Sequence, residues 1–341
     1  MHAITSPIML VGLFLTGAIM VWIAGIWLAR TTTAIDRRLG FGQALGGLVI
    51  LAVVTNLPEI AITGSAAISK NVDLAVGNIL GGIGVQTLVL VLLDAVAGRR
   101  KPKPLSTVAA APPLKLEGLL LILLLLLLII GSLLPRSFTV QGFDPVAIII
   151  VAAWLMGVRI IAEKKKRHVR EHHGHPRHIH RRILNLHFAH VVAIFLIAAL
   201  ATLAGGVLLE VSGDGLAKHF GIDGIFFGST ILAAATALPE ISTGVASVRM
   251  KEYQLAMSDI FGGNAFLPLL LLPAGIIAGV PLLSDLPSSE LFLVATGLLL
   301  TICYLIGMTV RAKKRYLGLG VDSWLVMIAY AVSLVVLWRL S

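Results

Sequence analysis

The sequence predicts an all-α membrane protein of ten transmembrane helices, arranged as two inverted five-helix repeats. Three observations carry that reading. The chain of 341 residues is 57% hydrophobic and only 13% charged, with a mean hydropathy of +0.97, which lies outside the range of soluble globular domains. Apolar runs of about 20 residues, the length a helix needs to cross about 30 Å of hydrocarbon, recur along it. A segment in the first third reappears in register after a shift of 181 residues, which carries Glu59 onto Glu240.

The spans fall near 7–29, 43–69, 73–97, 116–134, 144–162, 187–209, 224–249, 254–279, 289–310 and 321–338. The first, "SPIMLVGLFLTGAIMVWIAGIWLA", has no Lys or Arg before it and no small-residue cleavage pattern after it, so it reads as a retained helix. Span four, "LEGLLLILLLLLLIIG", reads as lipid-facing scaffold without an ion ligand. Asp285 and Glu290 read as a solvated acidic patch in an outside loop, with cation attraction as the other reading. Cys303 is the single cysteine, which excludes an intrachain disulfide and a cysteine metal cluster.

Orientation follows from the basic residues. Of the 27 Lys and Arg, all but Lys70, Arg136, Lys218 and Arg339 lie in the loops after odd-numbered spans or at the adjoining span ends. Cytoplasmic loops hold the excess of Lys and Arg, so those loops are expected in the cytoplasm and both termini outside. The formal charge of +10 is thereby topological and calls for no nucleic-acid partner.

A first repeat (1–162) and a second (187–341) flank a linker (163–186). In and just after it run "EKKKRHVREHHGHPRHIHRRILNLHFAH", with all but His2 and His219 of the ten histidines. Two readings stand: a solvated basic linker that attracts anionic lipid, or a sensor of Zn²⁺, Ni²⁺ or Cu²⁺. The spacing matches no closed metal site.

The repeat is explicit between 47–91 and 228–272. "GLVILAVVTNLPEI" aligns with "GSTILAAATALPEI", and "KNVDLAVGNILGG" with "KEYQLAMSDIFGG". Each repeat holds five helices, an odd number, so the second enters the membrane in the opposite sense. Sites in such proteins sit near the midplane where the halves meet.

"TNLPE" (55–59) and "TALPE" (236–240) are the costly part of the repeat. Each proline removes an amide donor and frees a carbonyl one turn earlier, here Val54 and Ala235, and such backbone persists at depth only inside protein or along a polar cavity. Glu59 and Glu240 lie near the centres of their spans, where an acidic side chain costs roughly 2.5–3.5 kcal/mol. Thr55 and Thr236 project on the same face one turn earlier. Span three adds Asn78, Gly81, Gly82 and Gln86, and span eight adds Ser258, Asp259, Gly262, Gly263 and Asn264. A hard divalent cation takes about six to eight oxygens from carboxylates, carbonyls and water. Two carboxylates balance its charge, and each accepts a proton when the metal leaves. The plainer reading is a pair of structural carboxyls held by Thr55 or Asn56.

These paired segments resemble the alpha repeats of the calcium/cation antiporter superfamily, whose pattern is "GTSLPE" followed downstream by "GNIIGSN". The resemblance implies a diverged prokaryotic-type member, multi-pass in a bacterial or archaeal plasma membrane. It implies secondary active exchange of Ca²⁺ for H⁺ or Na⁺ by alternating access, with membrane lipid and inorganic cations as partners and no cofactor. By that likeness Glu59 and Glu240 are the ion-binding carboxylates, Thr55 and Thr236 are hydroxyl or carbonyl ligands, and Ala52 and Ala233 are backbone carbonyl ligands. The chain departs from the pattern where the serine after threonine is Asn56 or Ala237, where the serine of "GSN" is Gly82 or Gly263, and at Gln86 and Leu267. Asn56, Asn78, Gln86 and Asp259 complete the candidate ligands. With fewer side-chain oxygens than a multi-sodium site needs, proton exchange is favoured and sodium stays open. The rivals are an antiporter for a transition metal or Mg²⁺, a channel, and an intramembrane enzyme with Glu59 and Glu240 as acid and base. Against an enzyme, two symmetry-related groups in like motifs have no reason to differ in pKa. No feature specifies an oligomeric state.

Overall fold

A computed structural model describes residues 6–39, 53–98, 103–135, 139, 144–171, 187–284 and 286–340. Within them the elements are α1 (Pro7–Leu39), α2 (Leu57–Ile68), α3 (Val72–Gly98), the short α4 (Leu105–Ala109), α5 (Pro112–Ser132), α6 (Pro145–Glu171) and α7 (Phe188–Phe220). There follow α8 (Gly224–Thr236), α9 (Leu238–Arg249), α10 (Tyr253–Ala278), α11 (Ser288–Val310) and α12 (Val321–Leu340). Among the described residues no strand forms, and eight helices are long and apolar enough to cross a membrane. The pair α8 and α9, bent by 44° at Ala237, counts as a ninth when the two helices are taken as one broken span. Of the span expected at 43–69, residues 43–52 lie outside the described residues.

Several helices outrun their apolar stretches. α6 continues through Glu171 because "AEKKKRHVRE" is rich in good helix formers and a helix leaving the bilayer needs no apolar face. The first part of the expected linker is therefore helical. Residues 172–186, with much of the histidine cluster, lie outside the described residues.

The shift that aligns the motifs also aligns the helices. Moved by 181 residues, Pro7–Leu39 falls on Phe188–Phe220, Leu57–Ile68 on Leu238–Arg249, and the start of α3 at Val72 on the start of α10 at Tyr253. The turns closing α2 and α9 match bond for bond. Lys70 (φ 57) and Lys251 (φ 67) are left-handed, a conformation costing a non-glycine residue roughly 1–2 kcal/mol. In one, Lys70 N–H donates to Ala67 and Asn71 N–H to Ala66; in the other, Lys251 N–H donates to Val248 and Glu252 N–H to Ser247. Both are Schellman closures, which satisfy the last helical carbonyls.

Burial sorts the spans into centre and periphery. In its most apolar window α3 is 78% buried and α10 61%, against 28% for α7 and for α12, although α7 has a higher mean hydropathy than α3, 2.6 against 2.1. Hydropathy alone does not tell lipid from protein as a neighbour. α3 reaches α8 backbone to backbone: a Cβ on Gly228 would stand 2.8 Å from the Leu74 carbonyl oxygen. Beside this contact α8 takes a π-turn over Gly228–Leu232, a distortion frequent at functional sites.

Two expectations are corrected. α5 is not simply lipid-facing: Leu121, Leu124, Leu125 and Leu128 are buried, and so is Glu117. A leucine run has no helical periodicity, so its pattern could not show which face packs. Glu290 is not a solvated loop residue either. It sits in the first turn of α11, 3% exposed, while Asp285 lies outside the described residues.

Candidate ion-binding site

The prolines break their spans in a particular way. Pro58 is the second residue of α2 and Pro239 the second of α9, positions where a helix needs no intrahelical donor. The chain turns just before each, at Asn56 (φ −96, ψ 20) and Ala237 (φ −77, ψ 0). The new helices then start with equivalent bonds, Ile60 N–H to Asn56 and Ile241 N–H to Ala237, both 3.0 Å. Each glutamate therefore stands in the first turn of a helix that begins inside the protein, where the helix dipole favours negative charge.

Glu59 is fully buried, and Gln86 Nε2 of α3 donates to its Oε1 at 3.2 Å. The Thr236 side chain of the other motif stands close to this carboxyl, while its hydroxyl donates to the Ala233 carbonyl. Glu240 is 6% exposed, and its charge interacts with those of Glu59 and Asp259. The central helices meet through equivalent contacts. A Cβ on Gly82 would lie 3.3 Å from Leu267 Cδ1, and one on Gly263 would lie 3.5 Å from Gln86 Oε1; the shift carries Gly82 onto Gly263 and Gln86 onto Leu267. Asn264 Nδ2 donates to the carbonyl of Ile83, its own equivalent, at 3.3 Å and to Thr87 Oγ1 at 3.0 Å. It marks the line where the halves meet.

Four buried oxygens here accept no hydrogen bond: Glu59 Oε2, Gln86 Oε1, Glu240 Oε2 and Asn264 Oδ1. All are acceptors, and a buried acceptor left unsatisfied costs ~1–3 kcal/mol. Among the described residues no ion pair involves Glu59 or Glu240. Nor does any group of three or more His, Cys, Asp or Glu come close enough there to hold a metal ion. The available donor set is two carboxylates supplemented by amide and hydroxyl oxygens, which suits a hard cation.

This arrangement extends across both halves of the chain, and so does the sequence match: residues 9–161 and 190–339 fit the sodium/calcium exchanger protein family. The chain belongs to that family. Among its relatives, the inner membrane protein YrbG of Escherichia coli (strain K12) is 25% identical over 275 residues, covering 77% of this chain and 80% of YrbG. The fold is similar to that of the H⁺/Ca²⁺ exchanger CAX, with a TM-score of 0.67 and 15% identity over 97% of this chain and 87% of that one. It is similar also to the sodium-calcium exchanger NCX_Mj, with a TM-score of 0.63 and 19% identity over 96% and 99%. The family and these neighbours are transporters, not enzymes.

Within this exchanger-family fold the sequence candidates do not all converge. Glu59, Gln86 and Thr236 come together, with Glu240 beside them and Asn56 against Gly263. Thr55 is half-buried in the last turn before its kink. Asn78 is buried two turns before Gln86 on α3, with neither amide atom hydrogen-bonded. Asp259 is half-buried and faces Thr243 Oγ1 at 3.1 Å. The Ala233 carbonyl already accepts from Ala237 N–H and from Thr236 Oγ1, each at 3.1 Å, and Ala52 lies outside the described residues. Three polar residues were not among the candidate ligands: Asn264, Thr243 and Glu117. Thr243 was signalled by its place one turn after Glu240, and Glu117 by an acid in a leucine run.

Proposed function

We propose that the chain is a secondary antiporter that exchanges a divalent cation, Ca²⁺, for H⁺ or Na⁺ by alternating access, the ion held between Glu59 and Glu240. The observation that carries this reading is the group of four buried acceptor oxygens, two of them carboxylate, that no donor satisfies. A divalent cation satisfies several acceptors at once and matches two carboxylate charges. When it leaves, protons or sodium take its place on the same oxygens. Thr236 supplies a further oxygen, Gln86 and Asn264 supply amide oxygens, and Ala233 joins only by giving up one of its two hydrogen bonds.

The halves 1–162 and 187–341 are the two inverted five-helix repeats, joined by a linker on the basic-loop side, with both termini on the opposite face. The conserved shift between α1 and α7, α2 and α9, and α3 and α10 supports that arrangement. So do two equivalent crossings: Gly25 of α1 lies against Pro239, and Gly206 of α7 against Pro58 and Ala61. α1 and α7 thus rest on the two kinks, where their movement over the paired core opens one side or the other. The ion biases that movement only by binding the two facings differently.

The chain's counter-ion is tested by reconstituting it in liposomes and driving uptake of Ca²⁺, Mg²⁺ and Zn²⁺ with a proton gradient and then a sodium gradient. Ca²⁺ flux coupled to one gradient, and severely reduced in Glu59→Gln and Glu240→Gln, is the expected result. Flux that needs no second ion makes the protein a channel, and parental flux in both variants removes the site.

A further inference from the structure

Glu117 is a buried carboxylate in the second turn of an otherwise leucine-rich helix, and the central site does not use it. Its Oε1 accepts from Ser258 Oγ of α10 at 2.8 Å. The Lys165 ammonium of α6 lies 3.8 Å from that oxygen and 3.4 Å from Ser258 Oγ. Glu117 Oε2 is buried without a hydrogen-bond partner. The starts of α5 and α10 and the end of α6 thus converge at the membrane face that carries the basic loops. Ser258 immediately precedes Asp259, and Thr243 Oγ1 lies 3.1 Å from Asp259 Oδ2 and 3.3 Å from the carbonyl oxygen of Glu240. Polar groups therefore lead stepwise from Glu240 through Thr243, Asp259 and Ser258 to Glu117 and Lys165.

We propose that Lys165 is a tethered cation that caps the basic-face end of the ion path, its ammonium held by Glu117 and Ser258 where a cation moving to or from Glu240 has to pass. The proposal rests on the antiport reading of the central site. A fixed positive charge in a narrow polar path repels cations, and a mobile one does so only while seated. Lys165 fits the second description: its side chain is 31% exposed, and a lysine stem lets the ammonium swing into water while its methylenes stay packed. Glu117 Oε2 is then the oxygen on which an incoming cation replaces it. As a mere staple between helices the pair is poorly suited, because removing two charges from water offsets most of their attraction.

The test places a reporter thiol between cap and centre, Thr243→Cys in a Cys303→Ser background, and adds thiol reagents from the basic-loop side of proteoliposomes. The ratio of labelling rates for a cationic and an anionic reagent of like size reports the potential in the path. Lys165→Met should raise that ratio about tenfold, the order expected of one unit charge at partly buried range, while Lys165→Arg leaves it near the parent. In the Thr243 parent, Lys165→Met should also lower the half-saturating Ca²⁺ concentration at that face. An unchanged ratio in Lys165→Met, or an equal rise in Lys165→Arg, overturns the cap. Absence of coupled flux in the parent protein overturns the antiport reading instead, and the labelling ratio still decides whether the ammonium guards the path.

Discussion

The surroundings of Glu59 and Glu240 share a backbone and differ in chemistry. Both acids stand in the first turn after a proline break, with matching φ/ψ turns before them and matching left-handed lysines after them. Around Glu59, however, the neighbours are the amides Asn56 and Gln86, whose equivalents beside Glu240 are Ala237 and Leu267. Glu240 instead has the charge of Asp259 nearby and its own backbone carbonyl taken by Thr243 Oγ1, and Asp259 is the equivalent of Asn78. The duplicated backbone fixes where two charges stand. Unduplicated side chains then give one acid an amide setting and the other a hydroxyl and a second carboxylate nearby.

The largest effect should come from the part that is common to both. Glu59→Gln and Glu240→Gln each remove one of two charges facing a divalent ion, and initial Ca²⁺ uptake into proteoliposomes should fall roughly 100-fold in either, equivalent to about 3 kcal/mol for a lost charged contact. A severe loss in one variant beside a mild loss in the other would mean that the acids do not share an ion.

Next come the crossings over the kinks. An added Cβ at Gly25 would stand 2.7 Å from Pro239 Cβ, and one at Gly206 would stand 2.6 Å from Ala61 Cβ. Gly25→Ala and Gly206→Ala should each destabilise the fold by about 1–3 kcal/mol, as overpacking does, read as a lowered thermal midpoint in detergent. Similar losses at the two positions are expected because these contacts belong to the shared backbone. A large loss at one only would show that the helices cross their kinks differently.

Gln86→Leu makes the first half copy the second at Leu267. Glu59 Oε1 then loses the donor at 3.2 Å, a bond to a charged group, and the half-saturating Ca²⁺ concentration should rise about tenfold. Folding should be little changed, since a leucine of similar size fills the space. An unaltered concentration would leave the amide setting of Glu59 without a part in binding.

The comparison also separates what local sequence encodes from what it does not. "TNLPE" and "TALPE" announced two buried acids, and the shift between them also relates the observed bounds of α1 to α7 and of α2 to α9, although the spans expected near 7–29 and 187–209 stop short of the observed ends at Leu39 and Phe220. That was legible because proline, glutamate and left-handed turns act within a few residues. The role of each break as a helix N-terminus required the observed turn at Ala237. Glu117 was not legible as a polar anchor, since its partner Ser258 is 141 residues away and an unbroken leucine run gives no facing. Asn264 was visible as an amide in span eight, but only packing put it against Ile83.

The smallest effect should come from Asp259→Asn, which makes the second half copy Asn78. Asp259 is half-buried and its Oδ2 faces the Thr243 hydroxyl, so an asparagine oxygen keeps the acceptor and only the charge is lost. A charge on a residue that is only half-buried acts more weakly on a neighbour than one held fully inside. The half-saturating Ca²⁺ concentration should rise about threefold, as partly screened charges allow, with the maximal rate unchanged. A loss as deep as that of Glu240→Gln would instead make Asp259 a direct ligand. The ion would then sit among three carboxylates, displaced toward the second half, and the balance of two acids against one divalent charge would no longer describe the site.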